Sequence, residues 1–154
     1  MFCNDRDFYY QKLGEADKGT DDALLDWCQY VLAGILVEVT KVNKLLDFKY
    51  LYKNILVPTI EHGIDRGYLN STEAKILRIG IKEQVFKAGD LEKAMEALTP
   101  RQRTHQIMKM KEAGFIRPIK EKSRSYHVSF LNNFLMRSLI QTMEKEDFIP
   151  PIDK

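Results

Sequence analysis

TPRQRTHQIMKMKEAG, residues 99–114, is the stretch from which the fold is read. Thr99 is a good N-cap, Pro100 suits the first helical position, and Gln102 completes a capping box with Thr99. Gly114 closes the helix as a residue that takes positive φ at no steric cost. Ile107, Met110 and Ala113 are spaced to face a core. Arg101, Thr104, His105, Met108 and Glu112 share the opposite side, with Lys109 near its edge. Polar, partly basic side chains at that spacing on a core-packed helix suit a DNA major groove. They also suit a plain solvated face.

The neighbouring segments give this helix a context. Asn70 with Glu73 signals the start of a helix that carries Ala74, Ile76, Leu77, Ile79, Ile81, Val85 and Phe86. Ala88-Gly89-Asp90 is a turn, and Asp90 is expected to cap a short helix through Leu91, Ala94, Met95 and Leu98. After Gly114, Phe115 to Ile119 is extended, and Pro118 restricts it to an edge strand. Glu121 to Arg124 is a polar turn. Ser125 to Phe130 alternates as a returning strand, with Tyr126, Val128 and Phe130 on one face and Ser125, His127 and Ser129 on the other. Three helices followed by a β-hairpin is the order of a winged helix-turn-helix. Asn132 or Asn133 then starts a last helix with Phe134, Leu135, Leu139, Ile140 and Met143. Phe148-Ile149-Pro150-Pro151 is a stiff apolar tail expected to dock.

Towards the N-terminus, Asp5 caps a short helix bearing Phe8, Tyr9, Leu13 and Ala16, which Lys18-Gly19 breaks. Thr20 or Asp21 starts a long helix. Leu24, Trp27, Cys28, Val31, Ile35, Val39, Val42 and Leu46 recur every three or four residues, and Leu25, Leu32 and Leu36 widen the stripe. So wide an apolar arc wants partners on two sides, either the rest of a larger core or a second copy through residues 20–46. Cys28 is expected to be a small buried hydrophobe. A helical pattern continues from Phe48 to Ile60, where Pro58 should bend or break it, and Gly63 and Gly67 end it. The chain thus reads as mainly α, with a helical segment over 1–67 and a winged-helix domain with a C-terminal helix over 68–154.

Composition narrows the function. The chain has 154 residues and a net charge of +2, but its charge is unevenly spread. From Arg101 to Arg124 eight basic residues face only Glu112 and Glu121, a local balance of +6 on an otherwise acidic chain. Concentrated positive charge is what phosphate contact requires. The longest unbroken apolar run, Val31 to Val37, is too short to cross a bilayer, and the N-terminus lacks the pattern of a signal peptide. These features predict a soluble, cytoplasmic protein with no membrane partner. Cys3 and Cys28 form no CxxC, and His62, His105 and His127 are scattered, so no metal or cofactor is implied. No paired carboxylates, nucleophile sets or phosphate-cradling glycine loops have a spacing that demands chemistry.

Two regions resemble the C-terminal part of bacterial Fic-family proteins. Asp7-Phe8-Tyr9-Tyr10-Gln11-Lys12-Leu13, followed by Trp27 and Leu32, is similar to the segment that closes the Fic helical core after its active-site loop. The block from Tyr68 to Pro150 resembles the winged-helix tail of many such proteins, including the run Arg124, Tyr126, Ser129, Phe130, Asn132, Asn133, Leu135 and Arg137, and the ending Phe148-Ile149-Pro150. Fic enzymes transfer a nucleoside monophosphate, usually AMP, to a hydroxyl side chain through a loop HPFx(D/E)GNGR. That loop is absent, as are the acidic metal ligand and the inhibitory motif. The resemblance therefore implies a Fic-like chain cut off after its active site, non-catalytic by itself. Its winged helix would bind double-stranded DNA or regulate the parent enzyme, with Arg101, Thr104, His105, Lys109, Lys120, Lys122 and Arg124 meeting the nucleic acid. The alternative is a protein-interaction or dimerisation module that binds no DNA.

Overall fold

A computed structural model describes residues 5–150. The chain is mainly helical with one small two-stranded antiparallel sheet. It divides into two compact units, the first ending at Phe48 and the second beginning at Lys49. Residues 49–67, grouped with the first segment on sequence grounds, are part of the second unit.

The first unit is a helical hairpin. Asp5 caps α1 (Arg6–Ala16) by accepting from the Phe8 amide, and Thr20 caps α2 (Asp21–Leu46) by accepting from the Ala23 amide. Gly19, at φ +70°, makes the turn between them. The helices meet through aromatic edges, Tyr9 on Trp27 at 5.6 Å and Phe8 on Tyr30 at 5.5 Å. Lys12 adds a 2.6 Å bond to Asp26, which raises the ammonium's pKa above its ordinary value. Cys28 is exposed, contrary to expectation. It points away from the face that α1 covers. The unbroken run Val31 to Val37 also understates this helix. As a whole, α2 has the length and composition of a membrane span, with a mean hydropathy of 1.4 over its most apolar window and little of that window buried.

From the boundary at Phe48, α3 (Phe48–Tyr50) leads into a π-helical turn (Leu51–Leu56) and then α4 (Val57–Asp65), both within the second unit. Pro58 does not break this run. The Val57 amide reaches back to the Tyr52 carbonyl, so the widened turn accommodates the proline ring before α4 resumes. Gly63 is no terminator either. It is buried inside α4, where a Cβ would lie 2.8 Å from Leu69 Cδ1. The helix ends at Gly67, φ +70°, with the Tyr68 amide donating to the Gly63 carbonyl at 2.8 Å.

Asn70 and Glu73 form the expected capping box of α5 (Ser71–Glu83). The helix stops short of Val85 and Phe86. Phe86 instead pairs as an isolated bridge with Tyr126, its amide donating at 2.9 Å and its carbonyl accepting at 2.8 Å. The short helix expected after Asp90 is a 3-10 turn, Ala88–Leu91, followed by irregular chain. Asp90 lies inside that turn and accepts from the Lys87 amide at 2.7 Å, so it closes the turn backwards instead of starting a helix forwards.

The quoted stretch forms α6 (Pro100–Glu112), with the capping box in place and Gly114 at φ +76°. The Phe115 amide donates to the Met110 carbonyl at 2.9 Å, which seals the C-terminus. β1 (Ile116–Pro118) and β2 (Tyr126–Val128) pair with Arg117 opposite His127. Ser129, placed on the same strand face as Ser125 and His127, is buried, its amide held by the Phe115 carbonyl. Asn132 caps α7 (Asn133–Lys145) with its carbonyl oxygen, while its Nδ2 donates to the Ala113 carbonyl at 2.7 Å. Beyond α7 the Phe148 ring packs 6.1 Å from that of Tyr50, whose hydroxyl donates to Glu146 at 3.2 Å. Pro151 lies outside the described residues.

One apolar core joins these pieces: Ile60, Leu69, Ile76, Leu77, Ile81, Phe86, Leu91, Ile107, Met110, Ile116 and Leu135 are all nearly or fully buried. Gly80 marks its tightest approach. A Cβ there would lie 2.7 Å from Val128 Cγ2 and 2.9 Å from the Phe86 ring. Gly80→Ala is therefore expected to destabilise the unit by about 1–3 kcal/mol through overpacking, outweighing the ~1 kcal/mol gain in helix propensity. Chemical denaturation measures the difference; a stabilised variant would show that α5 and β2 have slack between them.

Candidate nucleic-acid interface

The placement of α6 is decided by its buried side. Ile107 and Met110 lie in the core, as expected, but Ala113 is exposed. The place of a third inward residue is taken by Arg103, 7% exposed. Its guanidinium donates to the Leu98 carbonyl at 2.9 Å and lies 3.6 Å from Glu92. Arg103 thus ties α6 to the irregular chain before it and leaves the outward cationic surface. The signal was present in the sequence: residues 103, 107 and 110 follow the i, i+4, i+7 spacing of one helix face.

The outward side carries the predicted residues. Arg101, Thr104, His105, Met108, Lys109 and Glu112 are all exposed. Thr104 Oγ1 donates to the Pro100 carbonyl at 3.0 Å, so it meets a ligand as an acceptor. Pro100 and the capping box hold the first turn rigid, which fixes the direction in which Arg101 leaves the helix.

The hairpin supplies the second group. Lys120, Lys122 and Arg124 are exposed in the connection between β1 and β2. Lys122 takes φ +64°, and the Ser123 amide donates to the Lys120 carbonyl at 2.9 Å, so the connection is a tight turn. Below it, Arg117 and His127 are exposed at paired positions of the sheet.

A cleft of ≈ 540 Å³ brings the two groups together. Thr104, Ile107 and Met108 of α6 form one wall, and Arg124 and Tyr126 of the hairpin form the other. Lys87 also lines it. Sequence reasoning passed over Lys87 because it precedes a turn outside the basic stretch; the pairing of Phe86 with Tyr126 is what carries it to the cleft. Of the predicted residues, Thr104 and Arg124 share this space. Arg101, His105 and Lys109 occupy the open face of α6, and Lys120 and Lys122 the turn.

A second cleft, ≈ 440 Å³, lies where α4 meets α7 and is lined by both acids and bases, among them Glu61, Asp65, Arg66 and Glu146. His62 lines it as well, its Nδ1 3.1 Å from Ser138 Oγ. Its mixed charge favours no single class of ligand. Comparison with protein-family models and with curated proteins gave no match to this chain.

Proposed function

We propose that residues 68–150 form a winged helix-turn-helix that binds duplex nucleic acid, with α6 entering the major groove and the β1–β2 turn resting on phosphate. The element order supports the reading: α5, a bridging strand residue at Phe86, a short turn in place of a full second helix, α6, then the hairpin. The observation that carries it is the two-sidedness of α6. Its inner face is locked by Ile107, Met110 and Arg103, while its outer face presents Arg101, Thr104, His105 and Lys109 beside a cleft shared with Arg124. Phosphate contacts from the turn would set position, and side chains of α6 would reach base edges.

The likeness of residues 7–13, 27 and 32 to the segment that closes the Fic helical core, and of the block from Tyr68 to Fic winged-helix tails, supports a non-catalytic C-terminal portion of such a protein. In that setting the module brings a parent adenylyltransferase to nucleic acid or regulates it. A second reading, in which α6 seats on protein, is favoured by Met108, which is 54% exposed in the middle of the outer face beside Glu112.

Salt separates the two. Binding of the full chain to a duplex of mixed sequence, followed by fluorescence anisotropy, is expected to weaken about 3.5-fold per phosphate contact between 50 and 200 mM salt. An affinity indifferent to salt over that range overturns nucleic-acid binding and favours the protein partner.

A further inference from the structure

The apolar stripe of α2 is laid out for another helix. Taking Leu25 as position a of a heptad, Leu25, Leu32, Val39 and Leu46 fall at a, and Cys28, Ile35 and Val42 fall at d. Every a and d position from Leu25 to Leu46 is therefore apolar, over a length of about 32 Å. A strict seven-residue repeat is the pattern of a helix that packs along its whole length against another helix.

The structure leaves that seam open. Leu25 is 59% exposed, Leu32 65%, Ile35 48%, Val39 51%, Val42 56% and Leu46 77%. The α1 contacts described for α2 lie elsewhere. α1 holds Trp27 and Tyr30 through ring contacts and Asp26 through Lys12. Those residues occupy positions b, c and f, away from the a/d seam.

We infer that a second copy of this chain covers the seam, pairing α2 with α2 in a two-stranded coiled coil. Size supports this occupant. The seven seam residues and the flanking Leu36, which is 67% exposed, present on the order of 100 Å² each, or roughly 800 Å² per copy, the area a stable dimer needs from each partner. A self-complementary stripe also meets the symmetry of a two-fold interface, in which the same patch serves both copies. A lipid bilayer fits less well. It would surround the helix pair, yet the outer face of α1 exposes Arg6, Asp7 and Gln11. Among the described residues of α2, Leu24 and Val37 are the large apolar side chains exposed outside the seam and its Leu36 flank, and each is less exposed than any seam residue with a stated value.

The seam shares no residue with the outer face of α6, so this inference and the nucleic-acid reading fail separately. The test is sedimentation velocity of the full chain under reducing conditions, compared with Leu32→Lys/Val39→Lys and with the control Ala33→Lys on the side away from the seam. The parent and the control are expected to sediment as dimers. The double variant is expected to raise the dimer dissociation constant by about a hundredfold or more. Both seam residues are exposed in the single chain, so unchanged helicity by circular dichroism checks that the variant still folds. A parent that stays monomeric at about 100 μM, some hundredfold above a Kd of 1 μM, overturns the inference. So does a double variant that dimerises as well as the parent, or a parent that co-sediments with neutral phosphatidylcholine vesicles while the double variant does not.

Discussion

Phe86→Ala is expected to lower the stability of the second unit by about 3–5 kcal/mol, a large share of what holds a domain of this size together. The Phe86 side chain is fully buried, with its ring centroid 6.2 Å from that of Tyr126. Its backbone bonds to Tyr126 survive the substitution, so the loss comes from the cavity and not from the strand pairing. The neighbourhood also predicts a coupling. A Cβ at Gly80 would crowd the Phe86 ring at 2.9 Å, and truncating that ring removes the clash. Gly80→Ala should therefore cost less in the Phe86→Ala background than alone, although its approach to Val128 remains. Urea denaturation of the four proteins closes the cycle; strict additivity would mean that the two side chains do not share a space.

Replacing Lys120, Lys122 and Arg124 together with glutamine is expected to reduce duplex affinity on the order of a hundredfold near 0.15 M salt. Each lost phosphate contact should flatten the slope of log affinity against log salt by about 0.9. All three side chains are exposed, so stability should hardly change. Arg103→Gln supplies the contrast. Its guanidinium is committed to the Leu98 carbonyl and to Glu92, so this variant should lose stability and keep the parent's salt slope. Anisotropy titrations at four salt concentrations read both quantities. A triple variant with the parent's slope would show that the turn does not touch phosphate.

What could be read from the residues alone was mostly local chemistry. The boxes of Asn70 with Glu73 and Thr99 with Gln102 are visible in sequence because each is closed by atoms three residues apart. Gly67 and Gly114 announce helix ends for the same reason. What failed depended on partners distant in the chain. Phe86 reads as the last residue of a helix until Tyr126 pulls it into a strand pairing. Arg103 reads as one more surface cation until Leu98 and Glu92 hold it inward. Asp90 reads as an N-cap because nothing local shows that it bonds backwards to Lys87. At the candidate interface the exposed residues of α6 were legible from helical spacing, whereas the cleft joining Thr104 to Arg124 required the hairpin to be folded.

The side chain of Asn132 ties two helix ends with one amide group. Its oxygen takes the first free amides of α7, and its nitrogen serves a carbonyl at the end of α6. Fraying at either end strips the other of a hydrogen-bond partner, a coupling of about 1 kcal/mol between the two ends. A ligand that holds the end of α6 in place therefore also favours the capped start of α7, by about the worth of that one bond.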